Sequence, residues 1–467
     1  MEDKRVAGVV LAAGEGKRLK SDLPKVLHDA AGKPLLVHVL DALAEVDLAT
    51  RVVVVSQREG EIKEALEFAG HSDVEYAVQD PPRGTGDALR VALPQAGSGL
   101  DAVLVTNGDS PLLRTGTVES LIAAHLDSSA GATMLTAMAP GPTDGGRIVR
   151  GVDGSVERIV ETRDATPDEL LITEINSGIF VFDASGLAEM LDSLSPDNSQ
   201  NEYYLTDLVA MLREQGRAIR AFSCPWEETL GVNDRINLAE VSTILRRRTA
   251  EHWMAEGATI IDPDSTFIDS TVTIERDAVI RPFTFLEGTT TIGEGAEIGP
   301  QTRLVDTRVA SGATVTFSIA READIGPDAS VGPYASLRPG SRLARGSKIG
   351  TFVETKNTSL GEDSKANHLA YLGDAEIGRD VNVGAGTITC NWDGQQKHKT
   401  TIEDEAYISS DTMLVAPVRI GKRAATGAGS VVREDVPDDA LAVGVPARVI
   451  EGRGDRMAKD KKTEQDD

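Results

Sequence analysis

The 467-residue chain has only two cysteines, Cys224 and Cys390, far apart and without metal-ligand spacing. That excludes a disulfide scaffold and suits a reducing compartment. No apolar run approaches the roughly 18 residues that a membrane span needs. Net positive charge is lacking too, since the formal net charge is −26. A general binder of nucleic acid or of an anionic membrane surface would be repelled by that field. Any polyanionic ligand must therefore be met by a local basic cluster, and Arg18, Lys20 and Lys25 form one. Met-Glu-Asp-Lys-Arg leads directly into an apolar strand, with no signal-peptide pattern. These features predict a soluble cytoplasmic protein of about two to four domains.

Standard phosphate-loop templates are also missing. The stretch VVLAAGEGKRLKSDLPKVLH, residues 9–28, runs from an apolar strand into glycines and then basic residues. The dinucleotide fingerprint needs a third glycine where Leu19 stands, and the P-loop needs Ser or Thr where Arg18 stands. The rest of the chain has to decide what this loop holds.

The first half reads as α/β. Apolar strands at Val6–Ala12, Arg51–Val55 and Ala102–Thr106 alternate with helical stretches such as Pro34–Glu45 and Glu59–Ala69. Continuously apolar strands predict a parallel sheet covered on both faces. Ligands sit beyond the carboxyl ends of such strands, which puts the opening loop and the Asn107-Gly108-Asp109 turn on one edge.

The second half changes period. Aliphatic residues recur every six positions at Ile274, Ile280, Leu286, Ile292, Ile298 and Leu304, then from Ile325 to Ile349, and again from Ile402 to Ile420. Period six predicts a parallel β-helix of hexapeptide turns, with inward aliphatics stacking coil on coil. The register breaks between Gly350 and Thr401, where chemistry is to be expected. Between the halves, Ile236–Ala255 reads as a connecting helix. The charged tail from Glu451 is expected to be disordered, and its Arg453-Gly454-Asp455 tripeptide reads as chance. The domains are therefore expected at residues 1–235, 236–256 (linker helix), 257–450 and 451–467 (tail).

Phosphoryl chemistry on a nucleotide needs amides for the phosphates, a cation for the leaving group and a metal site. Leu11-Ala12-Ala13-Gly14 with Gly16 offers close backbone approach, Arg18 and Lys25 offer charge, and Asp109 is the natural Mg²⁺ ligand. In the second half His368 is the candidate general base, because imidazole titrates near neutrality.

The ordered series LAAGEGKRLKSDLPKVLH, GTGDA (84–88), NGDSPLL (107–113), GRIVR (146–150), EINSGIFVFD (174–183), EYYLTD (202–207) and GVNDR (231–235), followed by the hexapeptide half, carries a resemblance. Over residues 5 to 450 the chain closely resembles the family of bifunctional N-acetylglucosamine-1-phosphate uridylyltransferase/glucosamine-1-phosphate N-acetyltransferases. The resemblance implies an α/β Rossmann-like nucleotidyltransferase domain, a connecting helix and a left-handed β-helix that trimerises. It implies acetyl transfer from acetyl-CoA to glucosamine-1-phosphate, then uridylyl transfer from UTP to N-acetylglucosamine-1-phosphate with release of pyrophosphate.

Site roles follow from the same resemblance. Leu11, Ala12, Ala13, Gly14, Gln79, Gly84 and Thr85 would hold the uracil and ribose, with Asn107 and Gly108 in the nucleotide site. Arg18 and Lys25 would stabilise the triphosphate and the departing pyrophosphate, and Asp109 and Asn233 would hold Mg²⁺. Gly146, Glu161 and Asn176 would grip the N-acetylglucosamine. In the second half His368 would take the proton from the attacking amine, oriented by Glu354. Arg338 and Lys356 would bind the sugar phosphate, and Tyr371, Asn382 and Asn391 would contact the sugar or the reacting acetyl. Ala385, Trp392, Ser410, Ala428 and Arg448 complete the acetyl-CoA side, with Ser410 as donor to the thioester oxygen.

The chain departs from the family's common pattern at Lys17 (usually Thr), Gly145 (often Tyr), Asp87 (often His) and Trp392 (commonly Tyr), and GVPAR (444–448) is one residue short. Two alternatives remain: a single-activity sugar-1-phosphate nucleotidyltransferase with a structural β-helix, and a nucleotide-sensing assembly subunit with decayed sites. The intact His368, Lys356 and Arg338 set argues against the first. The co-occurrence of Asp109, Lys25 and Asn233 argues against the second. Partners are expected to be small-molecule substrates, not nucleic acid or membrane.

Overall fold

The computed structural model describes residues 4–14, 16–143, 145–198 and 200–454. The chain forms two compact units, Met1–Leu245 and Arg246–Asp467. Of the tail expected to be disordered, 451–454 are described, the Gly454 amide donating to Asp439 O at 2.7 Å, and 455–467 lie outside the described residues.

In the first unit, nine strands make one sheet: β1 (Val6–Leu11), β2 (Thr50–Val55), β3 (Glu75–Val78), β4 (Ala102–Asn107), β5 (Ala132–Met138), β6 (Arg147–Arg150), β7 (Val156–Val160), β8 (Glu174–Asp183) and β9 (Ile219–Ser223). The order along the main path is β3-β2-β1-β4-β8-β5-β9, with β6 and β7 attached through β8. Strands β1 to β4 are parallel, as their continuous apolar character predicts. The sheet is nevertheless mixed, because β8 runs antiparallel to both β4 and β5. Within β8 the buried run Ile179–Phe182 is wholly apolar, so composition could not show its direction.

Both faces of the sheet are covered. Val9, Val103 and Val105 pack on one side with Leu89 of α3 (Thr85–Ala96). Val10 and Leu104 pack on the other with residues of α1 (Leu35–Ala44), α2 (Glu59–Phe68) and α4 (Thr115–Leu126). Side chains alternate along each strand, so a strand buried on both faces has to be apolar throughout. Two further helices, α5 (Leu187–Asp192) and α6 (Asp207–Glu214), precede the long α7 (Arg235–Ala255). The division between the units falls inside α7. Among the described residues no helix is long and apolar enough to cross a membrane.

The second unit is a parallel β-helix. Each coil contributes three short strands, and the inward residues stack in three columns. One column runs Ile274, Ile292, Val309, Ile325, Leu343, Leu360, Ile377, Ile402, Ile420. All of these are buried. The expected break between Gly350 and Thr401 is not one: Leu360, Ala366, Leu372, Ile377 and Val383 continue the columns. The period shortens there by one residue per coil, as between Leu343 and Leu360, which hid it from a strict six-residue count. Only residues 391–399 leave the coil, as a loop whose base is the Trp392–Lys397 bridge.

Many corner residues adopt left-handed backbone, among them Asp277, Asp306, Asp328 and Asp363. Asp and Asn tolerate that region because the short polar side chain bonds locally. One corner differs. There Phe283, Phe317, Tyr334, Phe352 and Leu369 occupy it, and the Tyr334 ring lies 5.8 Å from both Phe317 and Phe352. Phe283, Tyr334, Phe352 and Leu369 are all more than half exposed.

Candidate functional site

In the first unit a cleft of about 770 Å³ opens at the carboxyl edge of the sheet. Its wall includes Leu11, Ala13, Gly14, Gln79, Gly84, Thr85, Asn107, Asp109, Asn176 and Asn233. Backbone bonds assemble it: the amide of Gly108 donates to Leu11 O at 2.9 Å, and that of Val232 donates to Asp109 O at 2.9 Å. The second bond brings the GVNDR segment against the NGD turn, so Asp109 and Asn233 meet. Lys25 Nζ donates to Asn233 Oδ1 at 3.0 Å and forms an ion pair with Asp109.

Glycine explains how the basic segment reaches that point. Gly16 has φ +63°, and a Cβ there would lie 2.6 Å from Lys25 Cβ. Any larger residue would drive Lys25 away from Asp109. Gly84 caps α3 with φ +108°, where a Cβ would lie 2.6 Å from Tyr203 O. The glycines of the opening loop and of GTGDA thus serve close packing as much as phosphate approach.

Several expected residues lie off the cleft wall. Ala12, Gly108 and Gly146 are buried beneath it, and Arg18 is exposed on a 3-10 turn (Lys17–Leu19) without lining it. Lys17 of that same turn does line it. Gly145, rather than Gly146, faces the cleft. The Glu161 carboxylate lies near Gly146, and burial first, then Asp164 and Asp207, pushes its carboxyl above the ordinary range. Wall residues not foreseen include Glu202, Trp226, Leu230 and Asn237. Glu202 opens the EYYLTD segment, Trp226 and Leu230 come from a 3-10 turn (Trp226–Thr229) and the residue after it, and Asn237 lies in the first turn of α7, so no single stretch marks the set.

In the second unit, register does the assembling. Leu337 pairs with Thr355 and Thr355 with Leu372, all pointing inward, so the residues that follow point outward in one row. That row contains Arg338, Lys356 and Gly373. Arg338 and Lys356 are therefore neighbours one coil apart, two cations side by side. A third cation, Lys397, comes from the inserted loop. It, and then Arg338, holds the Lys356 ammonium below its ordinary range. The loop is braced by His398 Nε2 and Asp393 Oδ2 at 2.6 Å, and by the His398 amide donating to Asn391 O at 2.8 Å. Sequence reasoning missed Lys397. Its place within an interruption rich in basic residues was the available signal.

Tyr371 and Asn391 converge over Gly373: a Cβ there would lie 2.5 Å from the Tyr371 hydroxyl and 2.7 Å from Asn391 Nδ2. Asn391 Nδ2 also donates to Asp374 Oδ2 at 2.6 Å. His368 is exposed, on the same strand as Tyr371 (Lys365–Gly373). It follows Thr351, its partner one coil earlier, in an outward column. The amide of Gly386 donates to Leu369 O, that of Asp411 to Ala385 O and that of Gly429 to Ser410 O. His368, Ala385, Ser410 and Ala428 therefore occupy equivalent positions in successive coils. Glu354 lies apart from His368: its carboxylate accepts from Arg338 Nη1 at 2.7 Å, and no hydrogen bond joins it to the imidazole among the described residues. Asn382 is half-buried one coil below Lys365. Trp392 is exposed on the loop, and Arg448 is exposed on the final hairpin opposite Val443.

Residues 8–144 match the family model described as MobA-like NTP transferase domain. Over nearly the whole length the chain is similar to curated proteins named bifunctional protein GlmU. It is 50% identical to that of Thermobifida fusca over 97% of this chain and 95% of the relative. It is 49% identical to that of Mycolicibacterium vanbaalenii, over 96% and 92%. For Exiguobacterium sibiricum the figures are 47%, 93% and 96%. The chain belongs to the GlmU family. It is a bifunctional enzyme, a nucleotidyltransferase and acetyltransferase of UDP-N-acetylglucosamine synthesis. The two activities of a GlmU protein are matched here by two compact units of unlike fold.

Proposed function

We propose that residues 1–235 transfer the uridylyl group and residues 257–450 the acetyl group, with 236–256 linking them. The observation that carries this reading is the meeting of Lys25, Asp109 and Asn233 at one point of the cleft. UTP lies along Leu11–Gly14, Gln79, Gly84 and Thr85, with the N-acetylglucosamine against Gly145 and Asn176, backed by Gly146 and Glu161. An oxygen of the sugar phosphate attacks the α-phosphorus in line, and the bond to the β-phosphate breaks. Pyrophosphate leaves with its charge met by Lys25 and by Lys17 on the cleft wall, with Arg18 of the same 3-10 turn adding positive charge from beyond the wall. Asp109 and Asn233 offer the hard oxygen donors Mg²⁺ prefers, with phosphate oxygens left to complete its shell. Bound there, Mg²⁺ supplies charge neutralisation on the phosphates. The enzyme's own part is positioning and electrostatics.

In the acetyl site Arg338, Lys356 and Lys397 receive the phosphate of glucosamine-1-phosphate. His368 takes a proton as the amine attacks the thioester carbonyl, and the carbon–sulfur bond then breaks to release the thiol. Ser410 donates to the oxyanion, and the small residues of its column, Ala385 and Ala428, leave room for the pantetheine arm. The row Phe317, Tyr334, Phe352 and Leu369 beside His368 supports a homotrimer, since an apolar ridge of this kind is a protein–protein surface. UTP and acetyl-CoA as co-substrates support a cytoplasmic location. The test is product analysis with glucosamine-1-phosphate, acetyl-CoA, UTP and Mg²⁺, each omitted in turn. Consumption of UTP without acetyl-CoA consumption would leave a single-activity enzyme.

A further inference from the structure

Asp87 is almost completely buried on the first turn of α3, at 5% exposure, and does not line the cleft. Its carboxylate is ion-paired to Arg90 one turn along, and the Arg90 guanidinium lies over the Tyr203 ring at 5.4 Å. The other carboxylate oxygen accepts from Gln79 Nε2 at 2.8 Å. The same Nε2 donates to Gly84 O at 2.9 Å. Gln79 itself sits just past the end of β3, with its backbone amide donating to Val55 O, and its side chain lines the cleft.

A side-chain amide can be turned either way round, so its direction normally has to be inferred. Here chemistry removes the choice. An ionised carboxylate and a peptide carbonyl only accept, and Gln79 has two N–H bonds to give. Both are used by Asp87 and Gly84. The Gln79 carbonyl oxygen is then the group left for the cleft, a fixed acceptor. Beside it, the amides of Gly84 and Thr85 open α3 and have no acceptor within the helix.

We propose that Asp87 is a positioning residue for nucleobase selection, locking Gln79 so that the cleft accepts a base edge that donates N–H. The inference rests on the reading of this cleft as the UTP site. Uracil presents a donor at N3 between two carbonyls. Cytosine presents a bare lone pair at N3, which would face the Gln79 oxygen and be repelled. A site built to pair one polar edge rejects its complement, because a buried group is left unpaired.

The test compares kcat/KM for UTP and CTP in the full-length enzyme carrying Asp87→Asn. The introduced carboxamide turns its oxygen to Arg90 and its NH₂ to Gln79, which opposes the hold of the Gly84 carbonyl and leaves the Gln79 amide without a single fixed direction. The UTP:CTP preference is expected to narrow by about tenfold or more, with KM for N-acetylglucosamine-1-phosphate within twofold. Arg90→Met, which loosens the carboxylate without touching the cleft, should narrow it in the same direction. Acetyl transfer by the same chain reports that the variants are folded. Equal losses with both nucleotides, leaving the preference unchanged, would make Asp87 merely structural and overturn the proposal. Gln79→Ala separates the underlying reading. If it narrows the preference while Asp87→Asn does not, only the positioning role falls. If it changes neither the preference nor KM for UTP, the assignment of the base to this wall falls, and the proposal with it.

Discussion

Lys25 Nζ meets Asn233 Oδ1 at 3.0 Å, closing a contact between residues 208 positions apart in the chain. Asp109 completes the triangle as the ammonium's ion-pair partner. Two oxygen groups converge there on one positive charge, an arrangement that serves a cation and polyphosphate equally well.

Asp109→Ala is accordingly expected to reduce uridylyl transfer by about 10²–10³-fold, the range seen when one charge-stabilising group is lost. Acetyl transfer should stay within twofold. Chelation of divalent metal should separate the activities in the same way, and parallel assays of pyrophosphate release and free thiol formation would read both.

His368→Ala should do the reverse. Loss of a general base costs about 10²–10⁴-fold, so thiol release from acetyl-CoA should fall by that range. Pyrophosphate release from UTP and N-acetylglucosamine-1-phosphate should be unchanged. Loss of both activities in folded protein would contradict two independent sites.

Leu372 is fully buried in the inward column between Thr355 and Thr389. Leu372→Ala removes a large aliphatic side chain from a stack that can collapse only along the coil axis. The expected cost is about 2–5 kcal/mol, measurable as a shift in the denaturant midpoint of the β-helix transition.

Both thiols should be slow to react in the folded enzyme. Burial, and then the Glu228 carboxylate, pushes the Cys224 thiol up to about 12, and burial also raises that of Cys390. The thiolate is the reactive form, so at pH 8 disulfide-exchange reagents should label the native chain far more slowly than the denatured one. Raising the pH towards 10 should bring only a small gain at Cys224, because its folded-state value still lies above that range. Rapid native labelling of Cys224 at pH 8 would contradict its partly buried placement.

Much of this architecture was legible before any coordinates. The inward columns of the β-helix appear in the sequence because each coil repeats the same physical demand, an aliphatic at every third of a turn. Where Thr355 and Thr389 replace aliphatics, and where spacing drops by one, the pattern fades although the coil persists. The direction of β8 was not legible, since EINSGIFVFD satisfies a buried strand in either orientation. At the first site, Asp109 and Asn233 could be named from motif order, but their convergence on Lys25 depends on Gly16 allowing two backbones to touch. Lys17 fitted no pattern in the sequence and stands on the cleft wall. Asp87, a mere departure from a common pattern in sequence, gains meaning only once Gln79 is seen to face it.

The coils of the second unit are not of one length. Leu304 stacks on Ala320, sixteen residues on, Ile274 on Ile292, eighteen on, and Ile377 on Ile402, twenty-five on. The same three columns close in every case, so surplus chain is expelled outward at a corner. Such a scaffold behaves like a spiral staircase whose landings can be enlarged without moving the steps. New segments could be grafted where residues 391–399 now project while the storeys above and below keep their register.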